Sequence, residues 1–382
     1  MAADLGCYNI ADLRSRARRR LPLGVWEYLE RGVEDERGMA RNRAALDTIT
    51  YTPRVLRNVE SVDTRTTILG RRSAFPLAVA PTGAAGLVWF EGDKALARAA
   101  AGRSVPFVVS SASTLDFEQI WSAGDAPWFQ LYMWENRDLS FAVLERAAAL
   151  GCEVLFVTLD MPVPPNREYL LRNGFGTPFR LNARNTLDIL AHPRWLAGVM
   201  GRYAFSGGVP SQANLPNTLR NKVTQSASPG ALFKQDNLVW EDLAAIRSVW
   251  PGKLVLKGVL HPADAERAAK AGADGIVVSN HGGRSLDGSP ASIDALPRIV
   301  DAIGGDVEIL FDSGIRRGSD IVKALALGAT AVMAGRATLY GLGAAGQAGV
   351  ERAIDLLHQE MRNTMALLGI TSVTQIGREI LA

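Results

Sequence analysis

From about residue 76 onward the chain repeats one alternation: a short apolar run, a polar or glycine-containing turn, then an amphipathic stretch. The apolar runs fall at 77–80, 107–109, 128–131, 154–159, 254–256, 275–278, 309–311 and 331–333. They are short, unbroken and rich in β-branched or aromatic residues, as strands buried on both faces should be. Between them, residues 93–102, 139–151, 262–272 and 319–328 carry helical spacing. Several of these stretches end in glycine, the residue expected just past a helix terminus. Eight strands alternating with helices predict an α/β fold, a closed (β/α)8 TIM barrel of about 250 residues. A doubly wound open sheet would carry a phosphate-binding glycine loop in its first strand-to-helix turn, and Pro81-Thr82-Gly83 is not one.

Two parts fall outside the alternation. Residues 1–75 hold a helical pattern around 22–31, with Pro22 placed as at a helix start. They are expected to form an N-terminal cap within the same domain as the barrel, 76–382. Residues 176–235 form a long insertion after strand four, dense in Asn, Pro, Gly and Ser. The insertion nevertheless carries an apolar patch of Leu187, Ile189, Leu190, Trp195, Leu196, Val199 and Met200. Near the C-terminus, Val350, Ile354, Leu357, Met361, Met365 and Leu368 recur at helical spacing, a core-packing stripe. Gly341-Leu342-Gly343-Ala344-Ala345-Gly346 fits a dinucleotide fingerprint, but it follows the last strand and lacks the βαβ context that chemistry needs.

A formal charge of +3 over 382 residues is too small and too dispersed for a nucleic-acid binder. The one basic cluster, Arg14, Arg16, Arg18, Arg19 and Arg20, reads as a solvated helix face. Two cysteines make neither a disulfide framework nor a metal site, so no metal is expected and a cytoplasmic, reducing compartment is the default. No run reaches the roughly 18 apolar residues that would span a bilayer.

Catalytic groups of such a barrel project from the C-terminal ends of its strands. The residues there are Pro81-Thr82-Gly83; Ser110; Gln130 and Tyr132; Thr158 and Asp160, with Arg167 beyond; Lys257; Ser279-Asn280-His281-Gly282-Gly283-Arg284; Asp312-Ser313-Gly314 with Arg316; and Gly335-Arg336. Folding does not require polar groups at one rim only, so they are expected to form a single site. The glycine turns carrying Arg316 and Arg336 match the phosphate site this fold builds after its last two strands, pointing to a mononucleotide. Lys257 needs an anion to offset burial. His281 is the natural acid–base group, with Asp160 expected to pair with it and raise its pKa. Arg167 and Arg284 suit a bidentate carboxylate clamp.

The run from Ser279 to Asp287, with Asp312-Ser313-Gly314-Ile315-Arg316-Arg317-Gly318 and Lys323 to Ala329, closely resembles the FMN-dependent 2-hydroxy acid oxidising family. Glycolate oxidase, lactate dehydrogenase and mandelate dehydrogenase are members. The resemblance covers nearly the whole chain and weakens only through about 180–235. It implies FMN as cofactor and His281 as base, oriented by Asp160. It implies a substrate carboxylate held by Arg167 and Arg284, with Tyr28 and Tyr132 touching carboxylate and hydroxyl. Lys257 would stabilise the reduced flavin. Pro81, Thr82, Gly83, Ser110, Gln130, Thr158 and Ser279 would hold the ring, and Asp312, Gly314, Arg316, Gly335 and Arg336 the ribityl phosphate. Gly83 and Ala112 are small residues beside the flavin, and this pocket is most similar to that of mandelate-oxidising members. An aromatic (S)-2-hydroxy acid such as (S)-mandelate is expected, with L-lactate the alternative. Hydride and carbanion routes both remain open, hydride transfer being favoured. In membrane-associated members the insertion docks on the bilayer and passes electrons to quinone. Trp195 with Arg184, Arg194 and Arg202 fits such docking on the inner face of the membrane. An active-site lid or an oligomer contact fits the insertion equally well, and oxygen is the alternative acceptor. The family also implies a homo-oligomer, a tetramer.

Overall fold

The computed structural model describes residues 5–176, 179–206, 208, 210–216, 219–220, 222, 225, 236–305 and 307–382. Eight parallel strands follow one another around one sheet: β1 (Leu77–Val79), β2 (Val108–Ser110), β3 (Trp128–Leu131), β4 (Val154–Thr158), β5 (Lys253–Val259), β6 (Gly275–Val278), β7 (Glu308–Phe311) and β8 (Ala331–Ala334). β8 pairs back onto β1. A bridge between Val79 and Phe107 joins β1 to β2 and closes the ring. The expected barrel is present, its strand ends displaced slightly from the apolar runs. β5 differs most, because Lys253 and Lys257 continue an extended chain that an apolar criterion cuts short.

The continuity of the apolar runs follows from burial on both faces. Ala78, Val108, Trp128, Phe156, Val255, Val277, Leu310 and Met333 fill the barrel interior. Their neighbours in sequence, such as Val79, Val109, Phe129, Val157, Leu256 and Val278, pack outward with the surrounding helices. A hairpin, Thr66–Ile68 with Arg71–Ser73, adds Ile68 and Leu69 to the interior cluster.

The N-terminal residues form helices Ile10–Arg20, Leu23–Glu30 and Arg37–Thr48. The first packs along the long C-terminal helix Arg336–Leu367, which buries the predicted stripe from Val350 to Met365. The rejected glycine motif lies inside that helix and serves packing: a Cβ at Gly341 would stand 2.3 Å from the Gly349 carbonyl oxygen. The arginine cluster is not simply solvated. Arg14 pairs with Glu30 at 2.7 Å, Arg14 and Arg18 lie over Trp26, and Arg20 lies 4.0 Å over Trp89.

The described part of the insertion is helical, with Ala183–Leu190, Pro193–Trp195, a π-helical turn Leu196–Gly201 and Arg202–Phe205. Trp195, whose position fitted docking or a lid, is buried and donates its indole N–H to the Leu87 carbonyl at 2.8 Å. It anchors the insertion to the barrel, while Leu187, Leu190 and Phe205 are exposed. Much of 207–235 lies outside the described residues. No helix among the described residues is long and apolar enough to cross a membrane.

Candidate active site

The site is a consequence of strand alternation. Side chains two positions apart share a face, so each inward apolar residue is followed on the same face by the one closing its strand. Val108 leads to Ser110, Trp128 to Gln130, Phe156 to Thr158, Val255 to Lys257, Val277 to Ser279, Leu310 to Asp312 and Met333 to Gly335. The interior thus changes from apolar to polar within one step at the C-terminal rim. Ser110 donates to Gln130 at 2.8 Å and Gln130 to Thr158 at 2.9 Å. Lys257 reaches Ser279 at 2.9 Å and the Asp312 carboxylate at 3.0 Å. Burial disfavours the lysine's charge, but Asp312 and Asp160 outweigh it and raise its pKa above the usual value. The anion that Lys257 needs is therefore supplied by the protein. Asp312 also accepts from Ser313 at 2.8 Å. A carboxylate so placed suits partnership with Lys257 rather than contact with a phosphate, which it would repel.

His281 sits just past β6 with φ of 57°, a left-handed conformation uncommon outside glycine and often met at functional sites. Its Nδ1 lies 2.8 Å from Asp160 Oδ1 and its Nε2 3.1 Å from the Tyr132 hydroxyl. Asp160 fits there only because residue 258 is glycine: a Cβ at Gly258 would stand 2.6 Å from Asp160 Cβ. Burial pushes the His281 pKa down, and Asp160 opposes this without reversing it, while Lys257 adds to the lowering. The expected increase is thus not found, because desolvation of the imidazolium outweighs the carboxylate. For Asp160 burial acts upward, but His281 and Lys257 prevail and hold the carboxyl below its usual range. The pair is best described as neutral imidazole and ionised carboxylate. Nδ1–H then donates to Asp160, and Nε2 is the basic atom. Burial also pushes the Tyr132 hydroxyl far above its ordinary pKa, so it remains a donor.

Arg167, Arg284, Arg316 and Arg336 line a cavity of about 830 Å³ together with Tyr28, Lys257 and His281. Their hydrogen bonds run to neutral groups, chiefly backbone carbonyls: Arg167 to Arg284 at 3.3 Å, Arg284 to Arg31 at 2.6 Å, Arg316 to Ile315 at 2.9 Å and Arg336 to Gly282 at 2.7 Å. Among the described residues none of the four forms an ion pair. Burial lowers the pKa of Arg336 to about 10; burial and then Arg284 lower that of Arg167. Arg167 Nε and Thr82 Oγ1 are buried without a partner. Such a cluster calls for anions from outside the chain.

The sequence model of the FMN-dependent dehydrogenases matches residues 17–382. The chain belongs to this family. It is 41% identical over 373 residues to the L-lactate dehydrogenase of Pectobacterium atrosepticum, covering 97% of this chain and 95% of that protein. It is 43% identical over 377 residues to the L-lactate dehydrogenase of Caulobacter vibrioides, covering 98% and 97%. Among solved structures, the monotopic membrane protein (S)-mandelate dehydrogenase superposes with a TM-score of 0.91 at 38% identity, covering 98% of this chain and 99% of that one. Mandelate oxidase with (S)-4-hydroxymandelic acid gives 0.83 at 38%, covering 98% of each. Lactate and mandelate are both 2-hydroxy acids, and this chain is an FMN-dependent oxidoreductase of that class.

The residues present in this FMN-dependent dehydrogenase fit the cofactor. Four guanidinium groups that form no ion pair among the described residues match a phosphate dianion plus a substrate carboxylate, and the partnerless Thr82 hydroxyl offers a hydrogen bond to a polar ring edge. Of the sequence-predicted residues, Tyr28, Pro81, Thr82, Gly83, Ala112, Tyr132, Thr158, Arg167, Lys257, His281, Arg284, Asp312, Gly314, Arg316, Gly335 and Arg336 line the one cavity. Asp160, Ser110, Gln130 and Ser279 stand behind it, hydrogen-bonded to His281, to Gln130, to Thr158 and to Lys257 respectively. Sequence reasoning missed the support from the N-terminal helices. The Leu29 and Arg31 carbonyls accept from Arg336, and Asn42 exchanges side-chain hydrogen bonds with Asn280. Backbone acceptors and pairs this distant in sequence leave no local pattern to find.

Proposed function

We propose that this enzyme oxidises an (S)-2-hydroxy acid with a bulky aromatic side chain, (S)-mandelate being the reference substrate, to the 2-oxo acid. The observation that carries the substrate choice is the size of the cavity, about 830 Å³, whose wall beside Tyr28 is made of the small residues Gly83 and Ala112. A Cβ at Gly83 would lie 3.3 Å from both Ala112 Cβ and the Tyr28 hydroxyl oxygen, so even one methyl group would crowd this wall. Leu87, Met161, Leu170 and Phe175 supply apolar lining for a ring. L-lactate is the second reading, favoured by the 41% and 43% identities to L-lactate dehydrogenases.

FMN, when bound, supplies the two-electron acceptor for the bonding pair of the substrate Cα–H bond. Arg316 and Arg336, with backbone N–H groups near Gly314 and Gly335, hold its phosphate. Pro81, Thr82, Gly83, Thr158 and Lys257 hold the ring, with Ser110 and Gln130 bracing Thr158 from behind, Ser279 bracing Lys257 and Asp312 keeping Lys257 charged. Arg167, Arg284 and Tyr28 hold the substrate carboxylate. Tyr132 and His281 meet the hydroxyl; His281 Nε2 takes its proton, and Asp160 stabilises the resulting imidazolium. A positioned base of this kind contributes ~10²–10⁴-fold in rate.

The electron acceptor in this proposal is quinone or another membrane carrier rather than oxygen. The chain would attach peripherally to the cytoplasmic face of the membrane, as a homo-tetramer. Exposed Leu187, Leu190 and Phe205 beside exposed Arg184, Arg194 and Arg202 support attachment through the insertion, and the mandelate dehydrogenase neighbour is a monotopic membrane protein. The substrate proposal is tested by comparing kcat/KM for (S)-mandelate and (S)-lactate. At least about a tenfold preference for mandelate is expected from pocket size; a preference of about a hundredfold for lactate would overturn it.

A further inference from the structure

Tyr28 lies on an eight-residue helix, Leu23–Glu30, and so short a helix is marginal on its own. Its N-cap is Pro22, whose side chain has no acceptor, and no side-chain cap is made from within the segment. The Leu23 N–H instead donates to Asp188 Oδ2 at 2.6 Å, across 165 residues of sequence. Asp188 belongs to the insertion helix Ala183–Leu190 and borders the active-site cavity. A carboxylate at this helix start is also favoured by the helix dipole. Two further contacts grip the same helix: Asn173 donates to Glu27 at 2.7 Å, and Gly24 lies so close to Phe175 that a Cβ would stand 2.9 Å from its ring. The Phe175 ring centre is in turn 5.9 Å from that of Tyr28, over which the Arg284 guanidinium sits at 5.3 Å.

We propose that Asp188 is a positioning residue for substrate binding: by accepting the Leu23 N–H it fixes the Leu23–Glu30 helix, and with it Tyr28, against the carboxylate pocket. Asp188 of the insertion thereby takes part in substrate recognition through Tyr28. This inference rests on the reading of Tyr28 as a carboxylate contact.

The test is steady-state kinetics on the FMN-loaded full chain with a dye acceptor, using whichever of (S)-mandelate and (S)-lactate is turned over faster. Asp188→Ala should raise KM roughly tenfold while kcat stays within about twofold, as expected when binding common to ground and transition states is lost. Asp188→Asn, which keeps an acceptor oxygen, should recover most of the loss. Leu23→Pro should reproduce the Asp188→Ala effect, because proline suits the first helical position but has no N–H; it also serves should Asp188→Ala not fold. In the Asp188→Ala background, Tyr28→Phe should add less than about twofold, since coupled residues are non-additive. An unchanged KM in Asp188→Ala and Leu23→Pro, or full multiplication of the Asp188 and Tyr28 effects, would overturn the proposal. If Tyr28→Phe alone leaves KM unchanged, the carboxylate assignment of Tyr28 falls as well. A large Tyr28 effect with an independent Asp188 effect defeats only the positioning role.

Discussion

An imidazole can serve as a base only while it is uncharged, and at His281 the surroundings enforce that state. Burial lowers its pKa below the ordinary 6.5, more than Asp160 restores. For a base with a lowered pKa, activity is present above that value and lost as pH falls through it. The acid limb of the kcat/KM profile should therefore lie below pH 6.5. An acid limb above neutrality would mean that the carboxylate dominates after all. His281→Ala should purify with its flavin absorbance intact but turn over ~10²–10⁴-fold more slowly; near-normal turnover would remove His281 from the mechanism. His281 was legible in the sequence as the candidate base. Its ionisation was not, because desolvation comes from side chains of several strands that no local window contains. Asp312 is a similar case: its place at a strand end was readable, its pairing with Lys257 was not.

At the scale of elements, the eight apolar runs were readable because strands buried on both faces have no other composition open to them. The polar rim followed from the same period of two. Long-range contacts were harder to read. Arg14, Arg16, Arg18 and Arg19 of the first helix are exposed as read, but Trp26 beneath Arg14 and Arg18 and Trp89 beneath Arg20 left no local signal. Trp195 was compatible in sequence with membrane docking or with a lid, and its indole N–H meeting Leu87 makes it an internal anchor of the insertion. The loop after β1 allows a sharp test of pocket size. Gly83→Ala places a methyl group against Ala112 and Tyr28, so kcat/KM for (S)-mandelate should fall about tenfold or more, with a smaller loss for (S)-lactate. Equal losses for both substrates would show that Gly83 does not border the substrate side chain.

At the scale of the whole molecule, the insertion that grips the Tyr28 helix also carries exposed apolar residues beside exposed arginines. Attachment through Leu187, Leu190, Phe205 and neighbouring arginines predicts sedimentation with membranes at low salt and partial release at high salt, since screening weakens the ionic share. Recovery wholly in the supernatant at low salt would count against docking. The central claim concerns the barrel mouth itself: four guanidinium groups and a neutral imidazole converge there to bind FMN and a 2-hydroxy acid together. Anaerobic mixing of the FMN-loaded protein with (S)-mandelate tests it most directly. The flavin absorbance should bleach, with one 2-oxo acid formed per flavin, and the (R)-acid should leave it yellow. Flavin that stays bound and oxidised in the presence of both (S)-mandelate and (S)-lactate would contradict the account.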